Sequence, residues 1–292
     1  MNNNLVVGID IGGTHITAAL IDLHSHTLIR QSLVRHSVNA KGSVDQIINQ
    51  WGDAIIECKS FNSESSKEMG IAMPGPFDYE KGISLIKGLD KYEALYKLNV
   101  KDLLAAKLGI ERKNISMTND ASCFLKGEIF CGTSGDCKNV IGITLGTGLG
   151  SAILKDEVHY DGDLYCTSFK GQTAEDYLSA RWFLKRYREL TGTIAKNVKE
   201  ISEKIPGDKN AELIFKEFGE NLGEVLSTFV TIHGAEKVII GGNIMKAWDL
   251  FIPETEKVLK RNSMNVTLLK ARLGEESALM GAGSLCAQEP LF

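Results

Sequence analysis

Two stretches of the chain are built alike: GIDIGGTHITAALID at residues 8–22 and GITLGTGLGSAILKD at residues 142–156. Each opens on an apolar run of strand-forming residues, turns through glycine and threonine, and returns in a second apolar run. Each closes on an aspartate, Asp22 or Asp156. Apolar runs punctuated by small residues read as strand, turn, strand. That order excludes the P-loop and the dinucleotide fingerprint, because both need a helix directly after their glycines. Two such units in one chain imply duplicated halves that face one another across a cleft.

Composition allows this. The chain has 292 residues, 43% of them hydrophobic and 24% charged, enough for two modest domains or one large one. The formal net charge is −4 and no run of lysine or arginine gathers on one segment, which argues against a nucleic-acid partner and for a small molecule. No stretch approaches the roughly 20 apolar residues that a membrane span needs. The opening MNNN leads into a strand without a basic segment or cleavage site, so a cytoplasmic protein is expected. The six cysteines include no CxxC pair and read as free thiols. Cys131, Cys137 and Cys166 do not have zinc-site spacing.

Between the hairpins, HTLIRQSLVRHS predicts a third strand, and SVDQIINQWGDAIIECKSF a helix with Val44, Ile47, Ile48, Trp51, Ile55 and Ile56 inward. A short strand then stops in Pro74-Gly75-Pro76, where Gly75 is either a point of close approach to a ligand or an ordinary surface turn. Asn119-Asp120 stands where a strand passes into a helix, the position of a backbone cap. Further on, QTAEDYLSARWFLKRY predicts a helix capped by Thr173 with Asp176 three residues later, and AELIFKEFGENLGEVLSTFVTIHG a long helix interrupted at Gly219 and Gly223. The strand KVIIGGNIM ends in a third glycine site, Gly241-Gly242. Ala278, Gly281, Ala282 and Gly283 form a close-packing side on a terminal helix.

A tight turn of small residues exposes consecutive backbone N–H groups, a nest for phosphate oxygens that needs no lysine. Two such turns suit the β- and γ-phosphates of a nucleotide, with Gly241-Gly242 under the adenosine. Asp10 beside the first turn suits a magnesium ion that keeps most of its waters. Asp120, at a strand end, is placed to accept the proton of an attacking hydroxyl.

The order of these parts resembles the sugar kinase and actin-like ATPase superfamily. Within it, the chain resembles the ROK family of bacterial sugar kinases and repressors, through GIDIGGT, MPGPFD, NDA, GITLGTGLG and VIIGGNI, from Leu5 to about Gly283. The resemblance implies an α/β protein of two ribonuclease H-like domains around a cleft. Residues 1–118, joined by a C-terminal helix at about 275–292, would form the smaller domain and 119–274 the larger. It implies transfer of the ATP γ-phosphate to a sugar hydroxyl, most often on C6. Glucose leads, ahead of N-acetylmannosamine, N-acetylglucosamine, fructose or a β-glucoside. Asp120 resembles the catalytic base, and Gly75, Asn119 and Glu175 the sugar contacts. Gly12, Gly13, Thr14, Gly146, Thr147, Gly148, Gly241 and Gly242 fall on the nucleotide motifs.

ATP and Mg2+ are the implied cofactors and a homodimer the implied assembly. The family's cysteine-rich zinc loop has no counterpart in DEVHYDGDLYCTSFKGQTAED, so no zinc is expected. Glu157 and His159 stand before that shortened loop, with His159 read as a surface histidine rather than a sugar ligand. His15, where many relatives have lysine, receives no role. The family's repressors carry a DNA-binding segment ahead of the first turn, whereas this chain begins its first strand within a few residues of Met1. The alternative to an enzyme is a catalytically silent sugar- or nucleotide-sensing protein.

Overall fold

A computed structural model describes residues 4–62, 64–156 and 158–287. The chain divides into two compact units, one running to Gly132 and resuming at Glu275, the other spanning Thr133–Gly274.

In the first unit β1 (Leu5–Ile11), β2 (His15–Asp22) and β3 (Thr27–Ser37) form an antiparallel meander. Helix α1 (Val44–Ser60) leads to β4 (Met69–Met73), which lies parallel to β1. A small hairpin of β5 (Phe77–Asp78) and β6 (Ile83–Ser84) and helix α2 (Val100–Leu108) precede β7 (Ile115–Asn119), parallel to β4, and then α3 (Asp120–Phe130). The sheet order is β3-β2-β1-β4-β7.

The second unit repeats the plan. Strands β8 (Asn139–Leu145), β9 (Leu149–Lys155) and β10 (Val158–Asp161) make the meander. A short hairpin follows, β11 (Ser168–Phe169) with β12 (Gln172–Thr173), then helices α4 (Ala180–Thr191), α5 (Val198–Ser202) and α6 (Lys209–His233). Strand β13 (Lys237–Gly241) joins β8 in parallel, and after α7 (Trp248–Arg261) strand β14 (Thr267–Lys270) joins β13. The order β10-β9-β8-β13-β14 superposes term by term on that of the first sheet. Even the alternation of buried and half-buried residues along β1 and β8 is the same. Both strands are central and covered on both faces, which is why each reads as a nearly continuous apolar run.

Helix α8 (Ser277–Ser284) returns the chain to the first unit, packing on α3, β1 and β4. A Cβ on Gly281 would fall on the carbonyl of Cys123 in α3, and one on Gly70 on the carbonyl of Ala282. The expected close-packing side of the terminal helix is therefore real contact. It also moves a boundary: α3 belongs with the first unit, so the compact units divide at 132/133 rather than at 118/119.

Local expectations change at three places. In α1 the inward positions include Ala54 and Cys58, while Ile56 is exposed. Thr173 and Asp176 do form a reciprocal cap, but it closes only a 3-10 turn at Ala174–Asp176. Helix α4 starts afresh at Ala180, whose N–H donates to the Gly146 carbonyl at 2.8 Å, so the break serves the second glycine turn. Helix α6 runs unbroken through Gly219 and Gly223, because both are contact points with α7: a Cβ on Gly219 would fall on the Phe251 carbonyl.

Candidate functional site

The candidate residues of the first unit gather at the C-terminal ends of its parallel strands, the edge where open α/β sheets bind ligands. Strand β1 buries Ile9 and Ile11 in one core. Alternation therefore turns Asp10 to the opposite face. The strand then bends through Gly12, whose N–H donates to the His15 carbonyl at 2.8 Å, leaving Gly13 and Thr14 exposed at the tip. The turn is held from both sides. Val38 N–H donates to the Thr14 carbonyl at 2.8 Å, and the Tyr92 hydroxyl donates to the Gly12 carbonyl at 2.5 Å.

At the end of β7, Asn119 caps α3: its Oδ1 accepts the Ala121 N–H at 2.8 Å, and Asp120 Oδ1 accepts the same N–H at 2.9 Å. Asn119 Nδ2 donates to the Tyr79 hydroxyl at 3.2 Å, which donates in turn to the Met73 carbonyl at 2.9 Å. Gly75 sits against this link, since a Cβ there would lie 3.2 Å from the Tyr79 hydroxyl and 3.9 Å from Asn119 Nδ2. The loop after β4 and the cap of α3 are thus tied through one phenol.

Burial, and after it the nearby carboxylate of Asp120, pushes the Asp10 carboxyl up to about 6, with Arg35 opposing and Glu275 adding to the rise. Asp10 and Asp120 therefore share one electrostatic neighbourhood.

The second unit assembles a separate set. The Gly146 N–H donates to the Gly148 carbonyl at 3.0 Å, closing the turn with Thr147 at its tip. Glu175 Oε2 accepts the Leu149 N–H at 2.9 Å and lies 2.5 Å from where a Gly148 Cβ would be, so no larger residue fits there without displacing it. Its other oxygen is ion-paired with Arg181. Gly241 pairs with Thr144 across the sheet, and Gly242, at φ +87°, crosses the Leu145 backbone so closely that a Cβ would lie 2.7 Å from the Leu145 nitrogen. Positive φ and backbone contact together require glycine.

Thus the structure brings Asp10, Gly12, Gly13, Thr14, Gly75, Asn119 and Asp120 to one sheet edge. Gly146, Thr147, Gly148, Glu175, Gly241 and Gly242 come together at the corresponding edge of the other. His159 lies half-buried on β10. Glu157 lies outside the described residues. Among the described residues, no group of three or more histidine, cysteine, aspartate or glutamate side chains converges as a metal cluster.

Sequence reasoning misses Tyr79, Tyr92 and Arg181. Tyr92 lies in none of the motifs, and its link to Gly12 spans 80 positions. Nothing local signals it. Arg181 had a local signal, six residues from Glu175 near a helix start, but one helix drawn from 172 onward conceals the break that aims it.

Two copies of one sheet, each with a glycine hairpin turn at the end of its first parallel strand, define the actin-like ATPase fold. Within it the chain belongs to the ROK family, whose profile matches residues 6–164 and 163–289. It is similar to the glucokinase of Thermotoga maritima, 24% identical over 315 residues and covering 96% of each chain. It is also similar to the N-acetyl-D-glucosamine kinase of Aliivibrio fischeri, 23% identical over 308 residues, with 95% of this chain and 98% of the relative covered. Among solved structures, a ROK family glucokinase from Streptomyces griseus in complex with glucose and AMPPNP superposes with a TM-score of 0.75. That chain is 24% identical, with 98% of this chain and 100% of that one covered.

Proposed function

We propose that this protein is an ATP-dependent sugar kinase that transfers the γ-phosphate to a hexose hydroxyl, the 6-hydroxyl of glucose first among candidates. The observation that carries the reading is that Asp10 and Asp120 share the sheet edge where the first glycine turn leaves it, with a second glycine turn at the same position of a duplicate sheet. The glucokinase and N-acetylglucosamine kinase relatives support the sugar class.

In this reading the Gly12–Thr14 and Gly146–Gly148 turns bind phosphate oxygens through backbone N–H groups and threonine hydroxyls. The Gly241-Gly242 turn lies under the adenosine. Gly75 and Asn119 contact the sugar. A sugar hydroxyl would be the third partner of Glu175, after the Leu149 N–H and Arg181. Asp120 takes the proton of the attacking hydroxyl as its oxygen bonds to the γ-phosphorus and the bond to ADP breaks. Little covalent help is needed; positioning and charge neutralisation supply most of the acceleration.

Asp10 would suit a magnesium ion held mostly through water, since such an ion takes one or two carboxylates, several waters and the nucleotide phosphates rather than an all-protein cage. The elevated proton affinity of Asp10 marks a place where a positive charge is favoured. When bound, the ion neutralises phosphate charge. A homodimer in the cytoplasm is the assembly and location that this reading expects; among the described residues no helix is long and apolar enough to cross a membrane.

A coupled ATP-consumption assay over glucose, N-acetylglucosamine, N-acetylmannosamine, fructose and a β-glucoside tests the reading. Sugar-dependent turnover with any of them supports a kinase. Sugar or nucleotide binding without turnover assigns a sensor instead.

A further inference from the structure

The first glycine turn has a neighbour that no motif supplies. The Lys91 side chain crosses it, with Cδ 3.9 Å from where a Gly13 Cβ would stand and the ammonium two bonds beyond. Lys91 is half-buried, and its side chain makes no hydrogen bond or ion pair to any described residue. Several cations near it in the chain or the fold are engaged. Lys41 pairs with Asp90 at 2.6 Å, Arg35 with Glu275 at 3.4 Å, and Lys87 and Lys97 lie over the Tyr96 ring at 5.4 and 5.3 Å.

The backbone that presents Lys91 is pinned on both sides. Asp90 and Tyr92 both adopt left-handed conformations, at φ 57° and 54°, which non-glycine residues avoid unless their surroundings impose them. Tyr92 is fully buried, meets Trp51 edge-on at 5.2 Å, donates its N–H to the Ala40 carbonyl at 2.7 Å, and donates its hydroxyl to Gly12. The residue next to Lys91 is therefore fastened to the turn that Lys91 overhangs. An ammonium without a partner among the described residues, on a stem that passes the exposed Gly13 of the turn, suits an anion with several oxygens. A positive charge is favourable there, since the nearby carboxylates of Asp10 and Asp120 oppose a triphosphate.

Resting on the kinase reading, we propose that Lys91 is a phosphate-binding residue of the first glycine turn, giving that turn the positive charge its backbone lacks. The ligand class is a nucleoside triphosphate, recognised through its phosphate tail rather than its base.

Titration calorimetry of the full-length protein with ATP, inorganic tripolyphosphate and adenosine tests this on wild type, Lys91→Met and Lys91→Arg. Methionine keeps the apolar stem and removes the charge, so an unchanged thermal midpoint is expected. Lys91→Met should weaken ATP and tripolyphosphate about tenfold, the size of one lost charge-assisted contact. Adenosine should bind as before, and Lys91→Arg should recover most of the loss. ATP affinity unchanged in Lys91→Met, equal loss for adenosine, or a wild type that binds neither phosphate compound overturns the proposal. A wild type that binds ATP through Lys91 but turns over no sugar leaves Lys91 standing and removes the kinase reading instead.

Discussion

At the scale of single residues, Asp10 is where stability and chemistry pull apart. Its carboxyl is raised from 3.8 to about 6, chiefly by burial and then by Asp120. Between those values the folded protein keeps a proton that the unfolded chain has released. Stability therefore falls as pH rises through that window and stays lower above it. A shift of roughly two units corresponds to at most about 3 kcal/mol, less here because the side chain keeps some solvent contact. Asp10→Asn should accordingly melt higher than wild type at pH 8, without nucleotide or divalent cation. The gain should fade as pH falls through about 6 and vanish below 3.8. Its sugar-dependent turnover should drop at the same time. Melting curves across pH give the first result and the coupled assay the second; a variant that is less stable at pH 8 contradicts the burial of an ionised carboxylate.

At the scale of elements, the return of α8 rests on glycines that let backbones touch. A methyl on Gly281 would collide with the Cys123 carbonyl, and backbone cannot swing aside as a side chain can. Gly281→Ala should cost about 1–3 kcal/mol or more in chemical denaturation, the range for overpacking a close contact. Gly146→Ala is the control: no atom lies within 4 Å of its added Cβ, so stability should hold. Equal loss in both would mean that the α8 contact contributes nothing particular. The elements themselves were largely legible. Continuous apolar runs mark β1, β4, β8 and β13 because these strands are buried on both faces, and Asn119 is readable as a cap because Asx residues accept the first N–H groups of a helix. The start of α4 was not, because a long-range bond from Ala180 to Gly146 decides it. The continuity of α6 was hidden for a similar reason, since its glycines answer to α7 rather than to their own helix.

At the scale of the molecule, the duplication organises everything else. The repeated hairpin in the sequence corresponds to two sheets of one topology, with strand orders β3-β2-β1-β4-β7 and β10-β9-β8-β13-β14. Motif residues could be found because backbone turns need glycine at fixed places. The links from Tyr79 to Asn119 and from Tyr92 to Gly12 could not, because side chains that meet across 40 and 80 positions leave no local pattern. The central claim is that Asp120 accepts the proton of a sugar hydroxyl while the glycine turns hold ATP. Its most direct test compares Asp120→Asn with wild type, measuring ATP affinity by calorimetry and sugar-phosphate formation on the best sugar of the panel. The variant should bind ATP as wild type does and form product at least about a hundredfold more slowly, as loss of a general base requires. Product formation at the wild-type rate, with ATP binding intact, would contradict it.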